Sequence, residues 1–464
     1  MLQRQLCQFI SSRAFANTAG VPSVKNVQPA IAHNPVYFKD YDLKVTRLPT
    51  GIVVASVDTM RDVSRLGLLF SCGTRSESSE HQGIIQRISN AIGLGTERLP
   101  LAEVGPIQGA LGTELASTYT REHLLLSLSC MREDLQMGVE FLGEMSQPSY
   151  QSWALSDRRV DLDLETNENL AVSSNRIMDL VHKAAYGTTG LGNPLISPYN
   201  VVKRHGVAEV SAFAKQHLCT GTAALTGIGV DHETLLRYAA DHLNLTEAPG
   251  KLPEAAKFRG GEVRNSENLP HTYCAVVSEG ADAKNTKGLA VQALLSAALG
   301  GLPGCSTGIN LLSPILENAV SAAAPNSDAQ VAPVNIAYAD TGIFGFQFSS
   351  DPELVEKVLK ACLLEFRNIG SKAISQEQFT TAKNQLMMYI QTAEDNQSQV
   401  LDSMSKQISA TGAYNSPRDV LKAVDALTLA DLSEHVKALM KKKLAMAVLG
   451  NLDYTPYMQD LAVA

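Results

Sequence analysis

Apolar positions change period several times along the chain, and each change marks an element. Between Lys44 and Asp58, "KVTRLPTGIVVASVD" carries two β-rich runs about a Pro-Thr-Gly turn and predicts two strands. "SRLGLLFSCGT" predicts a third, and "GTELASTYT" with "HLLLSLSC" a strand pair. In "EHQGIIQRISNAIG", Glu80 to Gly93, the period moves to that of a helix: Ile84, Ile85, Ile88, Ala91 and Ile92 share one side. Further helices are predicted in "REDLQMGVEFLGEM", in a long run from about Trp153 to Tyr186, and in "GVAEVSAFAKQHL".

From Leu245 to Glu262, "LTEAPGKLPEAAKFRGGE" is rich in Pro, Gly and charge and predicts a linker. The order of elements then restarts. "HTYCAVVSEG" predicts a strand, "TKGLAVQALLSAAL" a helix and "VNIAYADTGIFGFQFSS" a strand pair, with several helices after it. Val207 to Asp231 aligns without a gap on Leu429 to Asp453. Ala208/Ala430, Ser211/Ser433, Lys215/Lys437, Ala223/Ala445 and Asp231/Asp453 are identical. Both stretches read helix, strand, turn, at the end of each half. The expectation is a duplicated α+β fold, with domains over 31–245 and 263–464 joined by 246–262.

Composition narrows the function. The 464 residues are 45% hydrophobic and 19% charged, with a net charge of −8 and no basic patch of the kind that nucleic acid requires. "GLAVQALLSAALGGLPG", Gly288 to Gly304, is too short and too broken to span a bilayer, so any membrane association is expected through partners. From Met1 to Lys39 there is no Asp or Glu, while Arg4, Arg13, Lys25 and Lys39 are basic; residues 1–30 read as a mitochondrial transit peptide. Seven scattered cysteines without a C-x-x-C pair suit a reducing compartment such as the mitochondrial matrix.

The helix at Glu80 to Gly93 sets Gln86, Ser89 and Asn90 close together, at i, i+3 and i+4. That is the spacing at which two His and a Glu would hold zinc, but amide oxygens are weak ligands and a serine hydroxyl is a poor base. His205 and Glu209, also i and i+4, read as a solvated helix face. His81, His123, His182, His232, His242 and His435 read as surface or satisfied core. "GGLPGCSTG", Gly300 to Gly308, lacks the G-K-[ST] of a phosphate loop and reads as a flexible connection.

The frame "SCGTRSE…GIIQRISNAI…ELASTYTREH" resembles the pitrilysin-type metallopeptidases, in particular their mitochondrial processing peptidase branch. The resemblance places the inverted zinc motif H-x-x-E-H on Gln86, Ser89 and Asn90, so all three functional side chains are replaced. A third ligand, a Glu on the later long helix, would fall near Leu164 or Glu165. The substrate-holding "S-R-L-Y" element of active members corresponds to "SPIL", Ser313 to Leu316, without its Arg or Tyr.

The resemblance thus implies two homologous domains, each a mostly antiparallel mixed sheet packed by helices, with no catalytic residue, no metal, no haem and no other cofactor. "LPTGIVVAS", "VSRLGLLFSCGTRSE", "AAYGTTGLGNPL", "LTGIGVDHETL", "FRGGEVR", "YADTGIFGF" and "GNLDYTPY" are similar to the core-subunit branch of that family, in ubiquinol–cytochrome c reductase (respiratory complex III). That likeness implies a peripheral, matrix-side subunit of the mitochondrial inner membrane. It would pair with core protein 1 and support cytochrome b and cytochrome c1. The alternative is the non-catalytic α-subunit of the processing peptidase, which binds presequences.

Overall fold

The computed structural model describes residues 43–300, 315–325, 327–372 and 374–461. The expected leader, nearly all of "GGLPGCSTG", and Ser313 and Pro314 lie outside the described residues.

The first half contributes strands β1 (Lys44–Arg47), β2 (Val53–Val57) and β3 (Val63–Phe70), then helices α1 (Ile84–Ala91) and α2 (Leu101–Leu111). The hairpin β4 (Glu114–Tyr119) and β5 (Leu124–Met131) follows. Next come α3 (Leu135–Met145), α4 (Ser152–Asp157), α5 (Arg159–Ala171), α6 (Ser173–Tyr186), α7 (Val207–His217), β6 (Ala223–Ile228) and α8 (His232–His242). The second half runs β7 (Gly261–Ser266), β8 (Thr272–Glu279), α9 (Thr286–Leu299), α10 (Ile315–Ala323), β9 (Gln330–Ala337) and β10 (Gly342–Ser350). It ends with α11 (Val355–Lys372), α12 (Gln376–Asp395), α13 (Gln397–Thr411), α14 (Pro417–Asp425), α15 (Leu429–Met440) and β11 (Leu444–Gly450).

Two mixed sheets result, ordered β1-β2-β6-β3-β5-β4 and β7-β11-β8-β10-β9. In each, the last strand of its half enters the middle of the sheet. β6 pairs parallel with β2 and antiparallel with β3, as β11 pairs parallel with β7 and antiparallel with β8. The repeated segments are therefore the same structural unit, α7–β6 in one half and α15–β11 in the other. Stripped of β1, the two strand orders coincide.

Three local readings change. The long run to Tyr186 is broken at Arg158 and Val172 into α4, α5 and α6. Helices α2 and α8 were not predicted, and α2 tolerates Pro106 inside it. Residues 246–260 hold neither helix nor strand, but β7 begins at Gly261, inside the stretch expected as linker.

Strand alternation decides what each sheet face meets. On β3, Leu66, Leu68 and Phe70 join a core with Ile84, Ile85 and Ile88 of α1 and Val139 and Leu142 of α3. The opposite face, with Ala55, Val57 and Ile228, packs against Leu401, Met404 and Ile408 of α13, a helix of the second half. Gly67 permits that approach: a Cβ there would meet the Thr226 Oγ1 at 2.8 Å and the Leu401 Cδ2 at 3.3 Å. Three polar bonds fix the register, Arg65 Nη1 to Ser398 Oγ (2.6 Å), Thr226 to Ser405 (2.6 Å) and Ser71 to Ser409 (2.7 Å).

The exchange is mutual. In the second sheet, Cys274, Val276, Phe344, Phe346 and Val448 face the helices of their own half. The other face, with Ala275, Val277, Ala445, Ala447 and Leu449, receives Ile177, Val181, Ala184 and Ala185 of α6 from the first half. Small residues on the strands let this helix lie close.

An ionic clasp adds to the exchange. Arg75 is buried, and its guanidinium bonds Glu122 at 2.6 Å and Asp340 of the second half at 2.8 and 2.5 Å. It also donates to the Glu254 carbonyl, while Glu122 accepts the Ala339 N–H. Burial opposes the Arg75 charge, but Asp340 and Glu122 outweigh it and raise its pKa.

Because Met404 is wholly buried in the exchanged contact, Met404→Ala should cost about 2–5 kcal/mol in urea unfolding. Leu364→Ala, at a side chain 55% exposed, should stay within about 0.5 kcal/mol. Equal effects would mean that α13 does not hold the first sheet.

Candidate functional site

Helix α1 begins where β3 ends, through the turn of "CGTRSE". Glu77 closes that turn and is buried. Its carboxylate accepts the Gly83 N–H at 2.9 Å and the Ile85 N–H at 3.0 Å, so it satisfies free donors of the helix start. Gly83 precedes α1 with φ +80°, a left-handed conformation, and a Cβ there would press on Val202 Cγ2 at 2.6 Å. Ile84, Ile85, Ile88 and Ala91 then seat the helix in the core.

The remaining positions of α1 build one cluster. Gln86 is fully buried. Its Oε1 accepts the Ser197 N–H at 3.2 Å, which turns its NH2 toward Glu165 of α5. Asn90 donates from Nδ2 both to the Gln86 carbonyl and to Glu165, at 3.2 and 3.1 Å. Both amides reach the same oxygen, Glu165 Oε2, at 3.1 Å each, and Tyr119 of β4 donates to Oε1 at 2.6 Å. Ser89 turns instead to Ser117 of β4, at 2.7 Å. Burial first, then the neighbouring Glu165 charge, raise the Tyr119 pKa, so the phenol keeps its proton and stays a donor.

Of the two positions expected for a third ligand, Glu165 lies at the cluster and Leu164 is 55% exposed. Three elements far apart in sequence thus bring together a carboxylate and two side chains one helical turn apart, a frame in which a metal could be held. The donors present do not fit zinc. Both amides aim N–H groups, not lone pairs, at the space they share with Glu165, and the one Gln86 oxygen is taken by a backbone donor. Among the described residues no group of three or more His, Cys, Asp or Glu is set to hold a metal ion. What the arrangement does is satisfy a half-buried carboxyl group with three hydrogen bonds.

Sequence reasoning missed Tyr119, Ser197 and Arg75, whose roles depend on contacts across 46, 111 and 265 residues. Arg75 and Tyr119 lie in stretches that carry the resemblance, but nothing local in the sequence marks the partners they meet. His205 also corrects an expectation. It is buried, with Nε2 2.7 Å from the Gln82 carbonyl, and not on a solvated helix face. Its Nδ1 still lies 3.6 Å from Glu209 Oε2, the same oxygen that accepts the Gly206 N–H at the start of α7.

Glu77 offers a test by pH. Burial raises its carboxyl from 4.5 to about 8, against the backbone N–H groups of Ile85, Gly83 and Ile84. A carboxyl raised on folding stabilises fully below its unfolded pKa and loses that contribution as pH rises toward the folded one. Relative to Glu77→Gln, the native protein should therefore lose stability between pH 4.5 and about 8, by on the order of a few kcal/mol. Paired denaturant titrations across that range would measure it. A gain with rising pH would show that the helix-start donors outweigh burial.

Comparison with known proteins shows similarity along most of the chain. Residues 53–199 match the model of "Insulinase (Peptidase family M16)", and residues 206–386 match "Peptidase M16 inactive domain". "Cytochrome b-c1 complex subunit 2, mitochondrial" of Mus musculus is 29% identical over 455 residues, covering 97% of this chain and 98% of that protein. "Mitochondrial-processing peptidase subunit beta" of Saccharomyces cerevisiae is 24% identical, over 89% of this chain and 92% of that one. Among solved structures, a chain of "Complex III2 from Candida albicans, Inz-5 bound" superposes with a TM-score of 0.77 at 20% identity, over 90% of this chain and 98% of that one. With consecutive M16 models matched between residues 53 and 386, on two halves that share one strand order, the chain belongs to the M16 peptidase family.

Proposed function

We propose that this chain is a non-catalytic core subunit of mitochondrial ubiquinol–cytochrome c reductase, of the subunit 2 type. It pairs with core protein 1 on the matrix side of the inner membrane and supports the assembly of cytochrome b and cytochrome c1. In this reading Gln86, Ser89 and Asn90 stand where an M16 peptidase carries H-x-x-E-H. Residues 1–30 are a transit peptide, and 31–245 and 263–464 are the two peptidase-like domains about 246–262, whose last two residues already belong to β7.

The observation that carries the proposal is the pair of amides on Glu165. A peptidase of this fold needs lone-pair donors and a base at those positions, and here the same positions are occupied by N–H donors and a serine. End-to-end similarity to a cytochrome b-c1 subunit 2 supports the identity of the assembly. Among the described residues no helix is long and apolar enough to cross a membrane, which agrees with attachment through partners.

The test is native separation of mitochondrial membranes in mild detergent, with identification of what migrates with the chain. Migration with cytochrome b and cytochrome c1 is expected. A smaller complex with an H-x-x-E-H-bearing partner would make the chain a presequence-binding α-subunit instead.

The positional reading has its own test. Gln86→His, Ser89→Glu and Asn90→His together should create stoichiometric zinc binding, measurable by calorimetry, that the native chain lacks. Adding Glu165→Ala should weaken it by at least about tenfold, the lower bound seen for disturbing a mere outer partner. Failure of the folded triple variant to bind zinc would show that α1 and α5 no longer hold ligand geometry.

A further inference from the structure

A cavity of about 710 Å³ lies at the junction of the two halves, outside the cluster around Glu165. One edge is the β4–β5 turn, Thr120 to His123, with Leu195; most of the rest comes from α9, α12, α13, α14 and the end of β9. Its walls are largely apolar, with Leu289, Ala293, Ile336, Leu386, Ile390 and Val424 among them. Its volume is within the range of small-molecule sites, roughly 300–1,000 Å³.

Two features define what would fit. The charged lining groups are already paired: Arg121 with Asp179, Glu122 with Arg75, Lys406 with Asp402, and Asp419 with Ser416 and Lys422. The lining therefore offers no spare charge to an ion. His123 departs from the satisfied-core expectation for histidines, as His435 does at Nε2. It is only 9% exposed, lines the cavity, and has no hydrogen-bond partner on Nδ1 among the described residues. Burial first, then the charges of Lys406 and Arg75, lower its pKa to about 4, so the ring is neutral at physiological pH. A neutral imidazole can donate to a carbonyl or accept from a hydroxyl. Nδ1 is enclosed by protein and out of a ligand's reach, so pairing with a ligand falls to Nε2.

We propose that this cavity binds a neutral, mainly apolar small molecule that carries one hydroxyl or carbonyl group, which bonds His123 while its apolar body lies between α9, α12 and α14. The inference does not depend on the assembly proposed above.

The test uses the full chain in its detergent-solubilised native form. A twelve-carbon primary alcohol bearing a diazirine is photolysed in its presence, and labelled peptides are mapped by mass spectrometry. Labelling should fall on α9, α12 and α14 and be competed by 1-dodecanol. Dodecanoate should compete at least about tenfold less well, since a buried carboxylate would find no unpaired cation. Ala293→Trp, which fills the cavity from a half-buried position, should abolish labelling, and Ala410→Phe serves if that variant does not fold. His123→Phe should weaken competition by about tenfold, the scale of one hydrogen bond. Label spread over the surface, label indifferent to both filling variants, or equal competition by the carboxylate would overturn the proposal.

Discussion

Each sheet of this protein is covered on one face by a helix from the other half, and the remaining architecture depends on that exchange. Without α13, the first sheet would leave Ala55, Val57 and Ile228 uncovered; without α6, the second would leave Ala275, Val277, Ala445 and Ala447 uncovered. Burying such surface stabilises by roughly 25 cal/mol per Å². Neither half can complete its core alone, which is why the two duplicated units form one compact body. Arg75, tied to Glu122 and Asp340, crosses the same junction with charges that would be costly if separated.

The cluster on α1 follows the same physical logic at a smaller scale. Glu165 approaches helix α1 from α5 with a carboxylate that needs a counterweight. A cation could supply one; here the NH2 groups of Gln86 and Asn90 and the phenol of Tyr119 supply it instead. The geometry of a ligand frame persists because α1 is held by its own buried isoleucines and by Glu77 at its start, independently of what sits at positions 86 and 90. The packing of α1 therefore does not specify the chemistry of the side chains it presents to Glu165.

How much of this could be read before any coordinates? The apolar period of α1, the strand alternation of β3 and β5, and the repeat of α7–β6 in α15–β11 are local or pairwise patterns in the sequence. They suffice for element types, for the duplication, and for the neutrality of Gln86, Ser89 and Asn90. The likeness to M16 peptidases even pointed to Glu165 as one of two candidates. The partners of that carboxylate were not legible, because the strand pattern around Tyr119 and the loop at Ser197 give no sign of which distant residue each will meet.

The sequence by itself determined the two α+β units and the lack of His, Cys or carboxylate at positions 86, 89 and 90, since both rest on residue identity at short spacing. Tertiary structure alone decided that α6 and α13 trade sheets, that Arg75 joins the halves and that His123 lines a neutral apolar cavity. An apolar helix face has the same period whichever sheet it covers, and a charge or an imidazole gives no sign in the sequence of the partner it will meet or lack.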